Sequence, residues 1–178
     1  MAEASLDAAH GGPADAGLPQ GPFSGREAFR AHLLTAFDAA SRQGWREIIL
    51  SDADFTDWPM GERAVTEALQ AWAGQAGRGR QLVLVAERFD AFERHFPRFV
   101  QWRQLWSHII DCRVCRGPGL PSVPSAFWTP DWALHRLDVE LFRGLTSVDP
   151  VRRRALRELQ DECLRQGRPG FPASTLGL

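Results

Sequence analysis

The chain has 178 residues, 44% of them hydrophobic, and a formal net charge of −1, which suits one globular domain with a buried core. All 21 basic residues other than histidine are arginine, so chemistry that requires lysine is excluded, including Walker-type phosphate loops, Schiff-base lysines and kinase lysines. The longest apolar run, residues 82–86, is far too short to span a membrane, and three cysteines do not suggest a disulfide framework, so we expect a cytoplasmic protein.

The two ends of the chain differ in composition from its middle. Residues 1–22 are rich in alanine, glycine and proline and contain neither a basic stretch nor an apolar block. We therefore expect a disordered tail here rather than a signal peptide, followed by a single α/β domain over residues 23–167. Residues 168–178 are expected to form a loose C-terminal tail.

The first part of the domain predicts two helices separated by a strand. Ser24 has a glutamate three residues later, which is the spacing of a capping box, and Gly44 is expected to end the helix that follows. The apolar segment 46–51 predicts the first strand. Apolar residues at helical spacing over 65–76 predict a second helix, ended by Gly77.

The middle of the chain predicts two further strands and an interrupted helix. The unbroken leucine and valine run in segment 81–87 predicts a strand covered on both faces, as in a parallel sheet. Asp90 begins a second capping-box pattern, and Pro97 is expected to break or kink a helix that continues to about His108. Segment 109–116 predicts the third strand.

The last third predicts short strands and one closing helix. Segments 125–129 and 132–136 are expected to pair around a Pro-Asp turn, and segment 139–142 is expected to form another short strand. Asp149 is placed to cap the final helix, which Gly167 ends. The alternation of elements predicts an α/β fold, with a mostly parallel sheet, flanking helices and a short antiparallel strand pair near the C-terminal part.

Five segments carry a resemblance to a known family: 46–54, 81–87, 109–116, 125–131 together with 134–136, and 149–150. Their order, over about residues 24–166, resembles one half of a phospholipase D-like domain. More narrowly, it resembles uncharacterised bacterial domains of that fold that often lie beside acetyltransferase domains. The resemblance implies a phospholipase D-like α/β fold for this chain.

The resemblance also implies that this copy is not catalytic. Active members of that superfamily use a His-x-Lys pair, in which the histidine attacks phosphorus and the lysine stabilises the phosphoryl oxygens. The corresponding stretch here, residues 124–127, reads Pro-Ser-Ala-Phe and contains neither residue. We therefore predict a binding or regulatory domain rather than an enzyme, with no catalytic residue to assign.

Charged residues follow the three predicted strands at one edge of the sheet. Because ligands of open α/β sheets bind at the carboxyl ends of the strands, these residues are the candidates for binding a small anionic ligand, with arginine contacting the anion. Two residues of the later strand pair are added as further candidates. The candidate ligand-binding residues are Asp54, Glu87, Arg88, Arg116, His135 and Arg136. Ion pairs buried in the interior explain the same residues without a ligand, and this is the favoured interpretation.

Two patterns with metal-binding potential have simpler interpretations. Cys112 and Cys115 form a single C-x-x-C pair, whereas structural zinc needs four ligands, and within a strand the two would face opposite sides. We expect structural cysteines. Asp52, Asp54 and Asp57 could hold a divalent cation, but a polar loop in which Asp57 caps the next helix is the favoured interpretation. We expect no metal and no other cofactor.

Other functions and partners follow from charge and from tryptophan. A divergent phosphodiesterase or nuclease would use Asp52 together with the charged residues after the first two strands. A weak single-stranded nucleic-acid binder would use residues 91–178, which hold 13 arginines against 9 acids, whereas residues 1–90 hold 8 against 13. That asymmetry is small, so a protein partner or a homo-oligomer is favoured over nucleic acid. Three tryptophans are expected to offer a contact surface: Trp58, Trp128 and Trp132.

Overall fold

The computed structural model describes residues 17–75 and 79–173, and these residues form one mixed sheet with helices on both faces. Its eight strands are Gly21–Ser24 (β1), Glu47–Asp52 (β2), Gln81–Ala86 (β3), Ile110–Val114 (β4), Ser125–Trp128 (β5), Ala133–Asp138 (β6), Arg143–Ser147 (β7) and Arg168–Pro169 (β8). The five α-helices found in the same residues are Arg26–Gln43 (α1), Arg63–Ala73 (α2), Asp90–His95 (α3), Pro97–Leu105 (α4) and Pro150–Gln166 (α5). The strand order is β1-β7-β6-β5-β2-β3-β4-β8.

The prediction of a mostly parallel sheet is wrong. Among the described strands, only the pairings β2–β3 and β3–β4 are parallel, and the other five are antiparallel. The predicted strand pair is present as β5 and β6, but it joins β2 and extends the main sheet through β7 and β1. Strands β1 and β7 contain glycine or proline and lack an alternating pattern, so long-range pairing rather than local propensity forms them.

Several predicted boundaries move. Segment 139–142, predicted as a strand, is a turn that ends at Phe142 with φ of 52°, and the strand begins one residue later. Pro97 is the first residue of α4, so the predicted helix break is confirmed, but α4 ends at Leu105 rather than near His108. Helix α2 ends at Ala73, and the predicted end at residues 76 and 77 lies outside the described residues.

Of the four predicted helix caps, one forms. Ser24 is the last residue of β1 and does not cap α1. Asp90 is the first helical residue of α3, and the N-cap of that helix makes no side-chain hydrogen bond. Asp149 caps α5 as predicted, because its carboxylate accepts a hydrogen bond from the N–H of Val151 at 3.0 Å.

The chain ends differ from the predicted tails. Leu18 is buried, and the strand Gly21–Ser24 pairs with β7, so ordered structure begins before residue 23. The predicted disorder of residues 1–16 lies outside the described part. Past residue 167, β8 pairs with β4 and Phe171 is buried, whereas residues 174–178 are again outside the described part.

The two faces of the sheet are covered unequally. Helices α1 to α4 share one large core with the sheet, and α5 alone covers the opposite face. Cys112 belongs to the large core and Cys115 to the core under α5, so the predicted placement of the two thiols on opposite faces is confirmed. No helix among the described residues is both long enough and apolar enough to cross a bilayer.

The tryptophans predicted as a partner surface are buried instead. Trp58, Trp128 and Trp132 are 3%, 9% and 0% exposed. Their indole N–H groups donate hydrogen bonds to Asp52 and to two backbone carbonyls, which explains how these rings are accommodated inside. That prediction is therefore wrong, and any partner surface must lie elsewhere.

Candidate functional site

The carboxyl ends of the three parallel strands lie in register. Asp52 of β2 pairs with Ala86 of β3, which in turn pairs with Val114 of β4. Each strand is followed, two positions beyond this row, by a charged residue: Asp54, Arg88 and Arg116. All three line one open cleft of about 520 Å³, so the expected convergence at this sheet edge is present in the fold.

Positive charge predominates in this cleft. Its charged lining consists of three arginines, one histidine and two aspartates: Arg88, Arg94, Arg116, His95, Asp54 and Asp90. We call it the arginine cleft. Guanidinium groups bind carboxylate and phosphate through paired hydrogen bonds, so a cleft with this lining suits an anionic ligand.

One arginine of the cleft is held by an aspartate. Arg88 donates from Nη2 to Oδ2 of Asp54 at 2.6 Å, and the two side chains are 53% and 23% exposed. Burial by itself would raise the pKa of Asp54, but hydrogen bonds from the Thr56 backbone N–H and from Arg88 outweigh it and hold the pKa below its ordinary value of 3.8. The hydrogen bond to Asp54 in turn raises the pKa of Arg88. Both groups therefore remain charged near neutral pH.

The other two arginines are not paired with an acid. Within the described residues, Arg94 and Arg116 form no salt bridge with any aspartate or glutamate. Their donors are available to a bound anion, whereas Arg88 is already oriented by Asp54. The cleft thus combines one positioned guanidinium with two available ones.

Glu87 lies beside the arginine cleft rather than in it. It lines a neighbouring cleft of about 370 Å³ together with Glu93 and Phe171. The two clefts share three side chains: Arg88, Asp90 and Arg116. Of the six residues predicted for the site, four therefore lie at the same sheet edge, with Glu87 on its acidic side.

His135 and Arg136 do not belong to this edge, so the six predicted residues do not form one site. Successive residues of β6 face opposite sides of the sheet. Arg136 is 2% exposed and faces the core shared with α1 to α4, where it lies over the ring of Phe29 at 4.5 Å. His135 lines an apolar groove beside α5, where burial lowers its pKa.

Arg136 is the centre of a buried polar network, which is the alternative that the sequence left open for these residues. Its Nη2 donates to Asp52 at 2.8 Å, its Nη1 to Asp57 at 3.1 Å, and its Nε to the hydroxyl of Ser125 at 2.9 Å. Asp57 also pairs with Arg26 at 2.9 Å. Glu62, not Asp57, is the N-cap of α2, so the predicted role of Asp57 as a helix cap is wrong.

Asp52 has no position left for a metal ion. One of its oxygens accepts hydrogen bonds from Arg136, Trp58 and Ser125, and the other accepts them from the backbone N–H groups of Asp54 and Phe55. No cluster of three potential metal ligands (His, Cys, Asp or Glu) occurs in the described part of the chain. The hypothesis of a phosphodiesterase site that includes Asp52 is not supported by this geometry.

The sequence-based prediction missed Arg94 and His95, which the last turn of α3 brings to the arginine cleft. A usable signal was present. Helix α3 follows directly after β3, and Pro97 limits it to six residues, so its end cannot lie far from the strand end. Short helices bounded by proline next to a strand terminus are therefore worth including in such predictions.

No protein-family model matches this chain, and the comparison with curated proteins finds no match either. A search of solved structures finds similarity to TrmBL2, an archaeal chromatin protein whose structure is described as showing a novel mode of DNA binding. The TM-score is 0.58 at 10% sequence identity, and the match covers 88% of this chain and 56% of TrmBL2. The chain thus spans about half the length of TrmBL2, and the likeness concerns the fold.

Proposed function

We propose that this domain is a non-catalytic binding domain whose ligand is a small anion held in the arginine cleft. The observation that carries the proposal is the pair Arg94 and Arg116, whose guanidinium groups line an open cleft at the carboxyl edge of the parallel strands without an acidic partner. The resemblance to phospholipase D-like domains stays a prediction on which this proposal does not depend.

Titration calorimetry with three probes tests this proposal: inorganic phosphate, a nucleoside monophosphate and citrate. At least one should bind the full chain. Substitution of Arg94 or Arg116 by alanine should weaken that binding about 10- to 100-fold, because each removes charge-assisted hydrogen bonds to the anion.

Arg154→Ala is the matched control. Arg154 is an exposed arginine of α5, one helical turn from Arg157, which reaches Glu47 at the opposite end of β2. It should bind the probe like the wild type. The proposal is rejected if no probe binds, or if Arg154→Ala weakens binding as much as the cleft variants do.

We infer nucleic-acid binding as a second candidate, supported by the likeness to TrmBL2. This reopens a possibility that the modest charge asymmetry of the sequence disfavoured. The matched region is only 56% of TrmBL2, so the likeness does not indicate which part of either chain would contact DNA. Fluorescence anisotropy with single- and double-stranded DNA at two salt concentrations distinguishes the candidates. A DNA binder should lose affinity steeply with salt, and absence of binding at low salt removes this candidate.

A further inference from the structure

The face of the sheet that carries α5 is only partly covered. Helix α5 packs over the centre of the sheet, through Leu156 and Cys163, and leaves the same face of β6 and β7 open beside it. The result is a groove of about 310 Å³ between these strands and the helix. Its lining is mainly apolar and includes Leu137, Leu145, Leu156, Leu159, His135 and Arg152.

Exposed apolar side chains concentrate around this groove. Of the six large hydrophobic side chains that are exposed in the described residues, five lie on the elements that border the groove, namely β6, the turn after it and α5: Leu137, Val139, Leu141, Val151 and Leu159. The sixth, Leu105, ends α4 on the other side of the sheet. An apolar concentration of this kind on a water-exposed surface marks an interaction site.

We propose that this surface is the interface of a symmetric dimer, so that its occupant is a second copy of this chain. The surface has two halves that complement each other. The β6–β7 turn presents Val139 and Leu141 around the exposed acid Glu140, whereas the groove presents leucines with Arg152 at its wall. Apolar contacts and opposite charge thus match between the turn of one copy and the groove of the other.

Two-fold symmetry follows from the position of the two halves. Leu137 belongs to both, because it lines the groove and lies two residues before Val139, the first residue of the turn. In a symmetric interface one continuous patch contacts itself, so a two-fold axis through the patch places each turn over the partner's groove. Glu140 then meets Arg152 twice. Arg152 is available for this, since its contact with Asp149 is 3.6 Å long and both side chains are about half exposed.

Pairing through the sheet edge is a less suitable route to the dimer. The edge strand β1 has four residues and contains Pro22, which lacks an N–H to donate to another strand. The aromatic residues first expected to mediate self-association are buried. The apolar face beside α5 replaces both as the surface for homo-oligomerisation.

Sedimentation velocity of the full chain tests the interface. The wild type should sediment as a dimer at high micromolar concentration. Leu137→Glu and Leu159→Glu should each raise the dimer dissociation constant about 100-fold, because the symmetry places every buried charge in the interface twice. Leu105→Glu is the matched control, an equally exposed leucine outside the patch, and should leave the dimer intact. A monomeric wild type overturns the proposal, as does an equal effect of Leu105→Glu.

A charge exchange tests the pairing of turn and groove independently of the leucines. Glu140→Arg and Arg152→Glu should each weaken the dimer about 10-fold, and the double variant should recover most of the loss. Circular dichroism identifies variants that fail to fold. If a leucine variant fails to fold, the charge-exchange variants provide the test of the interface. A double variant that dimerises no better than the single variants overturns the proposed arrangement.

Discussion

Two arginines that each pair with an aspartate lie in very different environments in this protein. Arg88 and Arg136 each pair with an aspartate, at 2.6 and 2.8 Å, but the Arg88 side chain is 53% exposed and the Arg136 side chain is 1% exposed. Water screens the first pair, so it contributes little to stability. Loss of Asp52 from the second leaves the buried Arg136 with only the more exposed Asp57 as a counter-ion. Arg88 is therefore suited to ligand binding and Arg136 to holding the fold.

The buried pair predicts a large effect of neutralising Asp52. Asp52→Asn should lower the free energy of unfolding by about 3 to 5 kcal/mol, because the Arg136 guanidinium loses its most buried counter-ion. Urea denaturation measures this change. Asp54→Asn, which breaks the exposed pair with Arg88, serves as the comparison and should lower the stability much less than Asp52→Asn does. Equal effects of the two substitutions would contradict the distinction.

The helical spacing of apolar residues predicts which side chains of α1 are buried, but it is less reliable for α5. The apolar residues that recur at helical spacing along α1 are buried throughout: Phe29, Leu33, Ala36, Phe37 and Ala40. On α5, Leu156 and Cys163 are buried, but Leu159, which continues the same helical spacing, is 51% exposed. Gln160 takes the buried position instead and donates a hydrogen bond to Ser51 at 2.8 Å. The rotation of α5 on the sheet, rather than hydrophobicity, decides between these neighbours.

The one predicted cap that forms has a measurable contribution. Asp149→Ala should lower the free energy of unfolding by about 1 kcal/mol, because the N–H of Val151 loses its acceptor. Thermal or urea denaturation reports the change. Asp149→Ser retains a capping oxygen and should stay within a few tenths of a kcal/mol of the wild type. If serine is as harmful as alanine, the hydrogen bond is not the source of the stability.

At the scale of the whole molecule, histidines make the stability depend on pH. Burial lowers the pKa of His135 and of His32 below the ordinary value of 6.5. The unfolded chain therefore binds protons at a higher pH than the folded chain does. Stability contributed by the neutral imidazoles is complete above pH 6.5 and is lost as the pH falls through the lowered pKa values.

Urea denaturation at about pH 7.5 and about pH 5.5, at low protein concentration, checks this dependence. The wild type should be less stable at the lower pH. His135→Gln should lose less stability between the two values, whereas the exposed His108→Gln should behave like the wild type. A wild type with equal stability at both pH values, or a His135 variant with an unchanged loss, would contradict the assignment.

Local information in this chain is sufficient for most of the helices, for the three parallel strands and for the convergence of Asp54, Arg88 and Arg116. The reason is that helix stripes and apolar strand cores depend on neighbouring residues, and parallel strands necessarily bring their carboxyl ends to one edge. Burial of Arg136, by contrast, requires contacts with residues distant in sequence. Asp52 and Asp57 are 84 and 79 residues away from it, and Ser125 is 11 residues away.

Long-range packing settles the remainder. The antiparallel half of the sheet forms because β1 pairs with β7 and β7 pairs with β6. The local sequences of β1 and β7 do not predict these strands. The same packing buries the tryptophans and leaves an apolar face of β6, β7 and α5 exposed. Whether a polar or aromatic side chain is structural or available to a partner depends on what surrounds it, and that is a property of the assembled sheet rather than of the residue's neighbours in sequence.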